Sequence, residues 1–406
     1  MRISGIVFAV GLLMMTGMAC TCAHAQSPWK LKDLSAAPNF AETPEHSKEG
    51  VKAIFYDGVP WKGKPTRVFA YYALPDVPRG TRVPAMVLVH GGGGSAFIPW
   101  VKLWQQRGYA AIAMDTCGCI SSGGYSNHPR DTMGGPPGWG GFDQIDEPIT
   151  DQWTYHAVAD IILAHSLIRS FPEVDPQKIG ITGISWGGYL TCIVAGIDNR
   201  FRFAAPVYGC GYLGEDSVWL PDFERLGKER AAKWLSLWDP SSYLGKAAMP
   251  MLWVDGTNDF AYPPDSLQKS YRLPHAPRTL CMRVRMPHGH GGPGENPEEI
   301  HAMADALLKG EAPLGVIQKV GVTGATVSAT YRGKVGMASA ELNYTLDSGV
   351  WQKRNWQTAP ALLDELHNRV TATLPHGVTA WYLNLTDTRN LVISSEHIET
   401  TTKPAN

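Results

Sequence analysis

Gly183-Ile184-Ser185-Trp186-Gly187-Gly188 sets a serine hydroxyl between glycines two residues before and two residues after it. Residues 178–184 read as a short buried strand and 189–195 as a helix. A strand that turns this sharply into a helix lifts the hydroxyl above the sheet edge, and only small residues fit around the turn. The helix also aims its positive end at the negative charge that forms when a serine attacks a carbonyl. Ser185 is the candidate nucleophile.

A serine hydroxyl is a weak nucleophile, so it needs a base, and the base needs an orienting acid. After such a turn the chain order is acid, then histidine. Residues 251–254 read as a buried strand that runs into Asp255-Gly256-Thr257-Asn258-Asp259. The Gly-x-x-Asp spacing sets Asp259 in the loop beyond the strand, which makes it the expected acid. Asp255 is the alternative, with a supporting role in the loop. Pro287-His288-Gly289-His290-Gly291 then offers two histidines. His290, between glycines that free it to reach the serine, is the expected base. His288 is the alternative, otherwise a pocket-lining residue.

Acyl transfer also needs donors for the oxyanion, which backbone N–H groups supply. The N–H of Trp186 is one candidate. Gly92 and Gly93, in His90-Gly91-Gly92-Gly93-Gly94, are the others, and His90 is expected to hold that loop. A phosphate loop would continue into Lys-Ser or Lys-Thr, and this one does not.

These groups require a framework. Strand-like runs cover 51–56, 66–74, 83–90, 109–115, 178–184, 201–208, 250–254 and 279–286, with helical stretches at 100–107, 151–170, 189–195, 221–237 and 297–308. Near-continuous apolar strands alternating with helices predict a mostly parallel sheet covered on both faces. The long connection 116–150, rich in Gly, Pro and Ser, is unusual inside a compact domain and points to function. Trp139 within it is the candidate pocket wall or sugar-stacking platform. After residue 312 short strand-like runs follow one another, with 360–367 the only helical candidate, the pattern of a small all-β sandwich. Trp351, Trp356 and Trp381 there are expected to pack, with glycan binding the alternative. The expected division is 1–25, 26–311 and 312–406.

Only 18% of the 406 residues are charged, while Gly and Pro number 43 and 30, which fits buried strands joined by long shaped loops. The formal net charge of −1 argues against a nucleic-acid partner. Arg2, an apolar run from Ile6 and Ala23-His24-Ala25 describe a signal peptide, so a periplasmic or secreted location is expected, with no membrane span after its removal. Beyond it stand Cys117, Cys119, Cys192, Cys210 and Cys281, too few for a disulfide framework and without zinc-ligand spacing. Free thiols are expected, with a bridge from Cys117 or Cys119 to Cys210 as the alternative. No metal is expected.

Taken together, His90–Gly94, Val174-Asp175-Pro176-Gln177-Lys178-Ile179-Gly180, the Ser185 turn, Asp198-Asn199-Arg200-Phe201, the acid loop and the late histidines resemble the α/β-hydrolase superfamily over residues 50–310. The spacing is similar to the dienelactone-hydrolase, prolyl-oligopeptidase and acetyl-xylan-esterase-like branch. That resemblance implies a mostly parallel eight-stranded sheet, no cofactor, and cleavage of esters or amides by a Ser-His-Asp mechanism. The chain departs from the oligopeptidases in lacking room for a propeller ahead of the first strand. It departs from the dienelactone enzymes in having Ser185 where they carry Cys. The C-terminal domain is similar in layout to fibronectin-like accessory domains. The resulting expectation is an exported serine esterase for small-molecule or carbohydrate acetyl esters. A peptidase of the same fold is the second reading, with Asp143, Asp146 and Glu147 to receive a peptide amine, and a non-catalytic glycan-binding protein the third.

Overall fold

The structure is a computed structural model that describes residues 27–400. The expected signal peptide at 1–25 lies outside the described residues. Strands of the main sheet are β1 (Phe40–Glu42), β2 (Lys52–Asp57), β3 (Arg67–Ala73), β4 (Val83–Val89), β5 (Ala110–Met114), β6 (Val174–Ile184), β7 (Phe203–Val207), β8 (Met251–Gly256) and β9 (Arg278–Arg283). Their order is β1-β2-β3-β5-β4-β6-β7-β8-β9. From β5 to β9 neighbours are parallel, and β1, β2 and β3 form an antiparallel ribbon joined to β5. The sheet therefore has nine strands where eight were expected. The extra one, β1, is Phe-Ala-Glu, three exposed residues and too short to show an alternating pattern.

Side chains alternate across each strand, so both faces of this apolar sheet need cover. Val87, Ile112 and Ile181 pack on one face with helices Trp153–Arg169 and Trp186–Ala195. Met86, Leu88 and Ala111 pack on the other with helices Ile98–Gln106 and Glu298–Ala304. The single helix expected at 221–237 is two, Leu220–Leu226 and Lys228–Trp238, separated by Gly227 at φ +79°.

From residue 316 the described residues are strands, with one 3₁₀ turn at Trp351–Lys353: β10 (Val316–Thr323), β11 (Thr326–Arg332), β12 (Met337–Thr345), β13 (Trp356–Pro360), β14 (Leu362–Asp364), β15 (Arg369–Thr373), β16 (Ala380–Asp387), β17 (Val392–Ser394) and β18 (Ile398–Glu399). They form two antiparallel sheets, β10-β11-β15-β14 and β13-β12-β16-β17, with β18 on β16. The helix expected at 360–367 is instead β14, because Leu362 to Asp364 find partners on β15. Trp351, Trp356 and Trp381 are all buried.

This β region docks on the β9 edge of the main sheet. Ser394 Oγ accepts the Met282 N–H at 2.7 Å, and Glu299, buried beside Arg283, accepts the Val392 N–H at 2.8 Å. Asn258 Nδ2 donates towards the carbonyl oxygens of Trp351, Gln352 and Arg354, at 3.3, 3.2 and 2.8 Å.

Candidate active site

β6 ends at Ile184 and the next helix begins at Trp186, leaving Ser185 alone to make the turn at φ +57°, ψ −119°. A non-glycine residue in that region is strained, and such strain persists only where the surroundings impose it. Here they do. The Ser185 N–H is held by the Val207 carbonyl at 3.0 Å. A methyl group at Gly183 would collide with the Gly187 carbonyl, and one at Gly187 with the Val89 carbonyl. The glycines two before and two after the serine let three chain segments meet.

β8 delivers the acid loop. Asp255 is fully buried, and burial together with the Asp259 charge pushes its carboxyl well above the usual range. Asp259, just beyond, accepts the N–H groups of Ala261 and Tyr262 on Oδ1, at 2.9 and 2.8 Å. Its Oδ2 lies 2.6 Å from His288 Nδ1. The His288 ring stacks on Tyr208 at 4.2 Å, next in sequence to the Val207 that holds Ser185. The expectation that His290 would be the partner of Asp259 is thereby corrected to His288. The cause lies in the path of the chain after β9. The Arg283 carbonyl oxygen accepts the Thr257 N–H at 3.0 Å, and the Arg285 N–H donates to Thr257 Oγ1 at 3.1 Å, which draws the strand end against the acid loop. Residue 288 then arrives at Asp259, and by residue 290 the chain has crossed to the glycine loop.

That loop sits between two imidazoles. His90 Nδ1 lies 2.8 Å from the Gly91 carbonyl oxygen and its Nε2 accepts the Thr116 N–H at 3.0 Å. Burial lowers the His90 pKa to about 3, so the ring is neutral. On the other side, the Gly91 N–H donates to His290 Nε2 at 3.0 Å. Gly92 comes next, so close to the indole that a methyl group there would stand 2.8 Å from Trp186 Cδ1. Gly93, at φ +75°, has open space around it.

The long connection 116–150 is tied down from below. Asp115 Oδ1 accepts the N–H groups of Cys117 and Cys119 at 2.8 and 2.7 Å, and Arg67 grips Asp131 with two hydrogen bonds. Trp139 is half-buried and packs edge-on against His90 at 5.6 Å, beside Gly92. It lines a cleft of about 340 Å³ with Phe142, Trp219, Asp222 and Arg225. Larger cavities, of 460 and 630 Å³, lie where the β region meets β9 and beside residues 28–38, away from Ser185. The three acids in the later part of this connection are also each met by a base: Asp143 by Arg225 at 2.8 Å, Asp146 by Arg230 at 2.9 Å, Glu147 by Lys62 at 3.2 Å. All five cysteines among the described residues are free thiols. No helix among those residues is long and apolar enough to cross a membrane.

Two family models match the chain: Acetyl xylan esterase (AXE1) over residues 30–225 and the Prolyl oligopeptidase family over residues 143–309. The two overlap on the Ser185 turn, and together they run from the lead-in to the closing helix. The chain is an α/β-hydrolase. It falls in the branch that the sequence pattern resembles.

Among solved structures, this α/β-hydrolase is similar to an acetyl xylan esterase from Paenibacillus sp. R4, with a TM-score of 0.55 and 22% identity over 68% of this chain and 92% of that one. Acetyl Xylan Esterase 1 from Thermoanaerobacterium sp. JW/SL YS485 gives a TM-score of 0.54 and 17% identity, over 69% of this chain and 94% of the other. At such identities the likeness is one of fold. A curated relative, the uncharacterized peptidase YuxL of Bacillus subtilis (strain 168), is 23% identical over 47% of this chain and only 28% of its own length. The match thus spans under a third of that relative.

Proposed function

We propose that the chain is an exported serine hydrolase that removes acyl groups, chiefly acetyl, from carbohydrate or small-molecule esters. The observation that carries the reading is the Asp259–His288 hydrogen bond of 2.6 Å at the sheet edge where Ser185 makes its strained turn. In this reading Ser185 Oγ attacks the ester carbonyl while His288 Nε2 takes its proton, with Asp259 fixing the ring through Nδ1. The N–H groups of Trp186 and Gly92 receive the oxyanion. His288 returns the proton to the departing alcohol oxygen. Water, activated by the same nitrogen, then attacks the acyl-enzyme, and the acid and free Ser185 result. Trp139 forms one wall for the alcohol part. The location rests on the Met1-to-Ala25 pattern, and residues 312–406 are read as an accessory domain.

Ester cleavage is favoured over an amine-recognising peptidase by one feature. Asp143, Asp146 and Glu147, the acids that would receive a peptide amine, are already matched by Arg225, Arg230 and Lys62. The test is fluorophosphonate labelling with p-nitrophenyl acetate and peptide-amide turnover, for wild type and Ser185→Ala. Labelling and acetate release that both vanish in Ser185→Ala are expected. An unlabelled wild type overturns the enzyme reading, and peptide turnover as fast as acetate release overturns the ester preference.

A further inference from the structure

His290 has no part in the acyl-transfer steps above, yet its side chain is hydrogen-bonded to the backbone of the glycine loop. Its Nε2 accepts the Gly91 N–H at 3.0 Å, so that nitrogen carries no proton and the neutral ring holds its proton on Nδ1. Nδ1 lies 3.5 Å from Glu295 Oε1, a carboxylate only 6% exposed, and neither atom has a hydrogen-bond partner. Phe97 and Tyr125 wall the ring at 4.6 and 5.8 Å.

Peptide planarity turns this contact into a constraint on the reaction. The Gly91 carbonyl and the Gly92 N–H belong to one trans peptide unit and point opposite ways. With His90 on the Gly91 oxygen and His290 on the Gly91 nitrogen, both peptide units that flank Gly91 are fixed. The direction of the Gly92 N–H follows from theirs. The loop has little room to adjust, since a methyl group on Gly91 would stand 3.0 Å from Ser185 Cβ.

We propose that His290 is a positioning residue: its Nε2 holds the Gly91 N–H so that the Gly92 N–H faces the substrate carbonyl oxygen. This rests on the ester-hydrolase reading of Ser185.

The test compares kcat and KM of p-nitrophenyl acetate hydrolysis in wild type, His290→Ala and His290→Gln. His290→Ala is expected to lower kcat about ten- to hundredfold with KM little changed, the effect of a displaced oxyanion donor. His290→Gln sets an amide oxygen where Nε2 was, accepts the Gly91 N–H at any pH and recovers most of that loss. Unchanged kcat in His290→Ala, a loss that falls on KM instead of kcat, or a His290→Gln enzyme no better than His290→Ala overturns the proposal. Activity that survives Ser185→Ala instead overturns the underlying reading of the nucleophile, a separate failure.

Discussion

Asp259 Oδ2 lies 2.6 Å from His288 Nδ1, with the other carboxylate oxygen anchored on two backbone N–H groups. Such an acid fixes the tautomer and heading of one imidazole. Asp259→Asn is therefore expected to lower kcat by about 10⁴ while the fold is kept, because the amide inverts the hydrogen bond to His288. His288→Ala should cost at least as much. Steady-state kinetics check both, and an Asp259→Asn enzyme within tenfold of wild type would remove Asp259 from the mechanism.

Asn258 ties the acid loop to the β region through three carbonyl oxygens. Asn258→Ala strands those acceptors and should destabilise the fold by ~1–3 kcal/mol. Because Asp259 is the next residue, kcat should fall as well. Melting and turnover measured on the same preparation check this. A lower Tm with unaltered kcat would mean that the β region braces the fold but not the acid.

Trp139 presents an indole beside Gly92, at the mouth of a cleft. Removing it takes away ~1 kcal/mol of stacking, or about fivefold in KM, for a substrate large enough to reach it. Trp139→Ala should raise KM for acetylated oligosaccharides and leave p-nitrophenyl acetate nearly unaffected. Equal changes for both substrates would assign Trp139 to loop packing instead.

Asp115 gives a pH signature. Burial pushes its carboxyl up to about 6 from 3.8, so between those values the folded chain keeps a proton that the unfolded chain releases. Stability then falls as pH rises through that window, the reverse of a salt-bridged aspartate. Asp115→Asn keeps an acceptor for Cys117 and Cys119 and has no proton to lose. Urea unfolding should show the variant gaining on wild type by up to ~3 kcal/mol between about pH 4 and pH 7. Parallel stability curves would contradict this.

Features fixed by local sterics were legible in the sequence. The Ser185 turn itself needs Gly183, whose Cβ would strike the Gly187 carbonyl, and Gly187 stands in the same short motif although its own need comes from the Val89 carbonyl; Asp259 follows β8 at a spacing readable from four residues. The choice between His288 and His290 was not legible, because it depends on Thr257 meeting Arg283 and Arg285, contacts between separate strand ends. The same holds for the grip of His290 on Gly91, 199 positions away in sequence. The Gly-His-Gly context suggested freedom to reach the serine, whereas the structure spends that freedom on the loop. β1 and β14 were missed because three-residue strands owe their existence to a partner, not to their own pattern. Gly227 was the visible break in the 221–237 stretch, and its positive φ makes it a stop.

The backbone of Ser185 has a further consequence. A serine at φ +57°, ψ −119° carries strain of ~1–3 kcal/mol that glycine would not feel. Ser185→Gly should therefore match or exceed the wild-type melting temperature while losing all turnover, and Ser185→Ala, which keeps the strain, should not. Thermal robustness and reactivity pull against each other at this one position, so a screen for heat-resistant variants that omits an activity assay will tend to discard the nucleophile.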